Sequence, residues 1–290
     1  MNDLVLTALI AVGASTGAAA VVILLLRRRI AAPVAVGAGY VAGHVVINEV
    51  MPSFPPVSTE HWLVYFALPV VVLAVIECQV ERGHAWRWCS RAVVCLVGTY
   101  LFVQALVAVW SGLQSVAWVG AQALGWLVLW AAFDVTARRC DNESREWRPL
   151  SPLFLLGLLV VATSTSIALL NSSSAKLAQF AGGLASALGV CLVFAWWRPS
   201  WGLCRGAAAV STFLLVCLVS EGYHYGQLPA TSACLLVISG VAGWLGILLF
   251  VNRAGRWAEA VLRLVLTATP AIVAFALTIG GADDASSWGY

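Results

Sequence analysis

The chain has 290 residues, of which 61% are hydrophobic and 10% charged, with a formal net charge of +3 and a mean hydropathy of +0.92. A water-soluble domain of this size needs far more charge to cover its surface, and the apolar stretches are continuous rather than alternating, which excludes a β-barrel. The expected class is all-α: a polytopic transmembrane bundle of about ten membrane-spanning helices, because stretches of about 20 apolar residues each suffice to cross a bilayer.

Segment one runs from about Leu4 to Leu26 and ends at Arg27, Arg28 and Arg29. Met1-Asn2-Asp3 carries no positive charge and the arginines follow the apolar stretch, so the pattern predicts a first helix with its N-terminus outside rather than a cleaved signal peptide. Segment two, about Ile30 to Val50, closes on Asn48 and Glu49. The loop after it holds three prolines, which cannot continue a helix. Segment three, about Leu63 to Val80, contains Pro69 and should kink there. A basic loop with Arg82, Arg87 and Arg91 leads to segment four, about Ala92 to Trp110, and segment five follows from about Ser115 to Thr136.

Asp134 to Leu150 is the longest strongly polar run, with four of the fifteen arginines and four of the thirteen carboxylates. Beyond it lie segments six (about Ser151 to Leu170), seven (Leu177 to Trp197), eight (Gly206 to Gly222), nine (Ala230 to Val251) and ten (Ala260 to Ile279, with Pro270 inside). All fifteen arginines fall in or beside alternate loops, the first being that between segments one and two. The positive-inside rule makes those loops cytoplasmic and both termini external. Lys176, the one lysine, is the exception. Nine tryptophans (Trp62, Trp86, Trp88, Trp110, Trp147, Trp196, Trp197, Trp201 and Trp257) sit near the expected membrane borders, where an indole keeps an apolar body and a polar N–H satisfied. The arginine-rich, lysine-poor composition points to a GC-rich bacterial genome and so to a bacterial inner membrane.

The chain reads as a single integral membrane domain. Five segments on each side of the polar run give opposite insertion, so residues 1–136 and 150–290 are possible inverted halves joined by a cytoplasmic loop, a plan shared by many transporters.

Candidate site residues lie in three places. His44 and Asn48, four apart, share a helix face at the outer end of segment two, beside Glu49. Glu221 and His224 lie at the outer end of segment eight. If segments two and eight are neighbours, these groups converge and could bind a cation or relay protons, or His44 and His224 could hold a b-type haem. The alternative is that they are wetted at the headgroups. In segment six, Thr163, Ser164, Thr165 and Ser166, followed by Asn171, offer a polar belt in the apolar core that serves either packing or a substrate. Glu77 and Asp134 read as interfacial ion pairs with Arg82, Arg138 and Arg139. Gly13 with Gly17, Gly39 with Gly43, and Gly182-Gly183 with Ser186 and Gly189 predict close helix contacts. The eight cysteines lack metal-site spacing and fall in no external loop, so buried thiols are expected, with no metal, and no cofactor is identified.

No phosphate loop, H-E-x-x-H or G-x-S-x-G occurs, which argues against an ATPase or a simple hydrolase. Expected partners are the lipid bilayer and either other membrane subunits or a small solute or ion, with no nucleic acid. The leading expectation is a small-solute or ion transporter or permease-like subunit. The alternative is a non-catalytic structural or assembly subunit, supported by an apparent lack of buried charge. A redox protein or enzyme using the outer histidines comes last.

Overall fold

A computed structural model describes residues 2–26, 29–56, 58–79, 84–143, 150–172, 174–250 and 256–286. The loop residues Arg27, Arg28, Arg82, Arg145, Trp147, Arg148 and Arg253 lie outside the described residues. Ten helices and a single 3-10 turn (Pro199–Trp201) make up the described chain: α1 (Asn2–Leu26), α2 (Ala31–Asn48), α3 (Thr59–Gln79), α4 (His84–Val107), α5 (Gly112–Glu143), α6 (Leu150–Asn171), α7 (Ala175–Trp197), α8 (Cys204–Tyr225), α9 (Ala230–Phe250) and α10 (Arg256–Ser286). Among the described residues nine are long and apolar enough to cross a membrane, and α9 adds the apolar stretch Ala230–Gly243. Every expected segment is therefore a helix, and the protein is an all-α, multi-pass bundle. Pro69 and Pro270 lie inside continuous helices.

Several boundaries differ from the sequence reading and move charge into a helix, those of α4, α5 and α7 among them. α4 begins at His84, so Arg87 and Arg91 lie on helix rather than loop. α5 continues through Asp134 to Glu143 and absorbs the first part of the central polar run. At about 1.5 Å per residue its 32 residues span roughly 48 Å, well beyond a hydrocarbon core of about 30 Å. α7 starts at Ala175 and carries Lys176 in its first turn.

α8 is the axis of the bundle. Its window is 89% buried, against 22% for α1, and it packs against α2, α3, α5, α6, α7 and α9. The composition of α8 explains this: from Gly206 to Val219 it presents small or apolar residues, with Ser211, Thr212 and Cys217, on every face, as a helix surrounded by others must.

Small residues set the closest approach elsewhere. A Cβ on Gly39 would lie 2.8 Å from Ala187 Cβ and 2.9 Å from the Ser15 carbonyl, and one on Gly43 would meet Ser15 Oγ. One on Gly183 would lie 3.1 Å from the same hydroxyl oxygen. α1, α2 and α7 thus meet at Ser15, Gly39, Gly43 and Gly183. Gly13, Gly17 and Gly189 face open space, so those expected contacts are not made.

Candidate functional site

α8 carries a charged group at each end, and each end gathers a polar cluster from neighbouring helices. At its C-terminal end, Glu221 is 3% exposed and accepts a hydrogen bond from Thr59 Oγ1 at 2.8 Å. Thr59 opens α3, directly after the proline-containing loop, and that loop is held by Tyr65, whose hydroxyl donates to the Pro52 carbonyl at 2.6 Å. The second carboxylate oxygen of Glu221, Oε2, has no hydrogen-bond partner among the described residues. The charged groups acting on Glu221 are Glu60 and Lys176, which form an ion pair with each other. Glu221 Oε2 is therefore left open.

His44 faces the same cluster from α2. It is 1% exposed and stacks on Phe180 of α7, with centroids 4.2 Å apart and planes at 15°. Both ring nitrogens lack partners among the described residues. His61 lies edge-on to it at 6.4 Å, and its Nδ1 is also buried and unpartnered. Tyr40, one turn before His44, is 1% exposed with an unpartnered hydroxyl, and Glu221 and Cys217 are among the groups that act on it. Three helices, α2, α3 and α8, thus deliver one carboxylate, two imidazoles and a phenol with open hydrogen-bonding atoms to the same end of the bundle. Buried polar groups are normally paired, so this concentration of open hydrogen-bonding capacity makes the cluster the candidate site.

The other sequence candidates go elsewhere. Asn48 Nδ2 donates to the His44 carbonyl at 3.0 Å and closes the last turn of α2. Glu49 is the exposed residue just past that turn, with a left-handed φ of 59°. His224 Nε2 lies 3.3 Å from Gln122 Oε1 of α5, and its ring is 6.4 Å from that of Trp110. His44 and His224 thus contact different helices, and no shared contact brings them together as an axial pair. In α6, Thr163 is exposed and Ser164 buried. Thr165 donates to the Val161 carbonyl at 2.8 Å, Ser166 to the Ala178 carbonyl of α7 at 2.7 Å, and Asn171 to Thr278 Oγ1 of α10 at 3.1 Å. Thr165 also lines a cavity of about 20 Å³ with Thr212. The belt thus divides between its own helix, bonds to α7 and α10, and the exterior.

Sequence reading missed Tyr40, Thr59, Glu60, His61 and Lys176. Tyr40, His44 and Asn48 repeat at four residues, which would have added Tyr40 to the face. Lys176 looked like a loop residue.

At the opposite end, Arg91 joins three helices. Its Nε donates to Glu77 Oε1 at 2.8 Å, a second guanidinium nitrogen pairs with Glu77 Oε2, and Nη1 donates to Asp134 Oδ2 at 3.0 Å. The guanidinium also lies over the Trp130 ring at 5.2 Å and the Trp88 ring at 5.5 Å. Arg138 bonds the same Asp134 oxygen, and Arg205 of α8 lies 3.6 Å from the other. Asp141 caps α8, accepting the Cys204 and Arg205 backbone N–H groups at 3.1 and 3.0 Å. The expected partnership of Asp134 with Arg138 is present. Arg139 instead pairs with Glu259 of α10 at 3.4 Å, and Arg91 holds Glu77. The expected lack of buried charge fails: Glu77, Arg91, Asp134, Glu221, Glu259 and Arg263 are all buried. All eight cysteines are free, and no cluster of metal-ligating side chains occurs among the described residues.

Fold and clusters together define a multi-pass helical membrane protein with a buried ionisable site at one end of its central helix. No protein-family model, curated protein or solved structure matches the chain.

Proposed function

We propose that this protein is a small-ion transporter or permease-like subunit whose binding site is the Glu221 cluster, and that its ligand is a proton or a small monovalent cation. The observation that carries this reading is the buried Glu221 carboxylate with one open oxygen, at the same end of the bundle as the unpartnered nitrogen and hydroxyl groups of His44, His61 and Tyr40. A buried carboxylate must be balanced by a proton, a cation or a paired base, and its neighbouring base, Lys176, is taken by Glu60. All three Arg91 nitrogens bond carboxylates, which supports a structural role for that end.

In this reading the Arg91 end faces the cytoplasm, the Glu221 end and both termini face outward, and the membrane is a bacterial cell membrane. The inverted relation of the halves belongs to the same reading. The pairing of α2 with α7 and of α3 with α8 supports it, whereas α6 and α10 pack in a way that α1 and α5 do not match. The assembly-subunit alternative draws support from α6, where Ser166 and Asn171 are taken by bonds to α7 and α10.

The test is charge movement on a solid-supported membrane carrying proteoliposomes, with jumps of proton, Na⁺ or K⁺ concentration. One of these cations should give a transient current in the wild type that Glu221→Gln reduces by about tenfold or more. Absence of current for every cation, with stable partner subunits in native mass spectra, would favour the assembly reading.

A further inference from the structure

A second feature stands apart from the Glu221 cluster. α5 and α9 touch at the Arg91 end, where a Cβ on Gly240 would lie 2.8 Å from Phe133 Cζ and 3.0 Å from Leu129 Cδ2. Towards the Glu221 end they diverge, and α8 forms the floor of a groove of about 460 Å³ between them. That volume lies within the range of about 300–1,000 Å³ typical of ligand sites. We propose that this groove binds one hydrocarbon chain of a membrane lipid, with the lipid's ester region at the Gln122–His224 pair.

Length and polarity both point to that occupant. The walls run from Trp118 to Leu129 on α5, Val216 to His224 on α8 and Ala230 to Ile238 on α9. At about 1.5 Å per residue these stretches measure roughly 16, 12 and 12 Å, close to the ~15 Å of one leaflet of a ~30 Å hydrocarbon core. Aspartate, glutamate, lysine and arginine are all missing from the described lining, which suits an uncharged tail. Gln122 and His224 sit at the membrane-border end, flanked by the Trp110 and Trp118 rings, whose centroids are 6.1 Å apart. That is the level at which an ester carbonyl meets hydrogen-bond donors and indoles. The α5 and α8 walls lie within helices long and apolar enough to cross a membrane and the α9 wall within its apolar stretch Ala230–Gly243, so the supply of ligand is the bilayer itself.

The experiment uses the full chain in phosphatidylcholine vesicles containing a phosphatidylcholine with a photoreactive diazirine on its tail, followed by peptide mapping. Labelling should concentrate on the groove residues of α8 and α9, and Gly125→Leu with Ala233→Leu, which fill the groove, should lower it about tenfold while labelling of the lipid-facing Val265 and Ile272 on α10 is unchanged. Gly125 has open space where its Cβ would stand, so the added side chain enters the groove and not a neighbouring helix. A second measurement needs no variant. Cys234 lines the groove and is exposed, and Cys89 is exposed elsewhere. Adding phosphatidylcholine to delipidated protein should slow alkylation of Cys234 by an apolar maleimide and leave Cys89 unchanged. Groove labelling no greater than that on α10, equal protection of the two cysteines, or crosslinks in the groove to a second protein chain would each overturn the proposal.

Discussion

His44 lies flat on Phe180, so a phenylalanine can occupy its place without opening the core. His44→Phe should leave the unfolding midpoint within about 4 °C of wild type, the shift expected for ΔΔG below ~1 kcal/mol in a chain of this size, while abolishing cation-driven current. Thr59→Ala removes the one hydrogen bond found for the Glu221 carboxylate among the described residues and should destabilise the protein by about 1–3 kcal/mol, read from thermal unfolding in lipid nanodiscs. Arg91→Met should be harsher, about 3–5 kcal/mol, because it leaves Glu77 and Asp134 as buried charges without their main partner. The Glu221 site was partly legible: His44 and Glu221 stand out as ionisable residues at the ends of apolar segments. Arg91 was not legible, because an arginine beside a basic loop reads as a topology signal, and only the helical start at His84 turns it inward.

Between helices, the contact at Ser15, Gly39, Gly43 and Gly183 has no room for a side chain. Gly43→Leu should destabilise the α1–α2–α7 contact by about 1–3 kcal/mol or more, and Gly13→Leu, which faces open space, should be close to neutral. Thermal unfolding of the two variants side by side tests this. The small-xxx-small spacing announced that close contact would occur, yet it could not say which of the two glycine faces on α1 and α2 would be used; α1 supplies Ser15, between its glycines. The hydroxyl run of α6 was visible as a polar belt, but successive residues on a helix point about 100° apart. Four in a row therefore cannot all face one cavity, and they disperse to the α6 backbone, to α7 and to the exterior.

Over the whole chain, hydropathy specified the helix count well because backbone groups in a bilayer must be satisfied within helices, which makes each crossing a long apolar run. Packing order was hidden, since lipid is as apolar as leucine and the identity of each neighbour leaves little trace in composition. That is why α8, the most enclosed helix, resembles the others in sequence. Membrane-impermeant labelling of cysteines added at each terminus should mark both from the outside; labelling from the cytoplasmic side alone would reverse the orientation. The central claim concerns Glu221, and it is tested most directly by infrared difference spectroscopy of the protein in lipid during exchange of proton, Na⁺ or K⁺ concentration. The account expects a carboxyl band that responds to one of these cations, disappears in Glu221→Gln and persists in Glu77→Gln. Identical difference spectra for wild type and Glu221→Gln would contradict it.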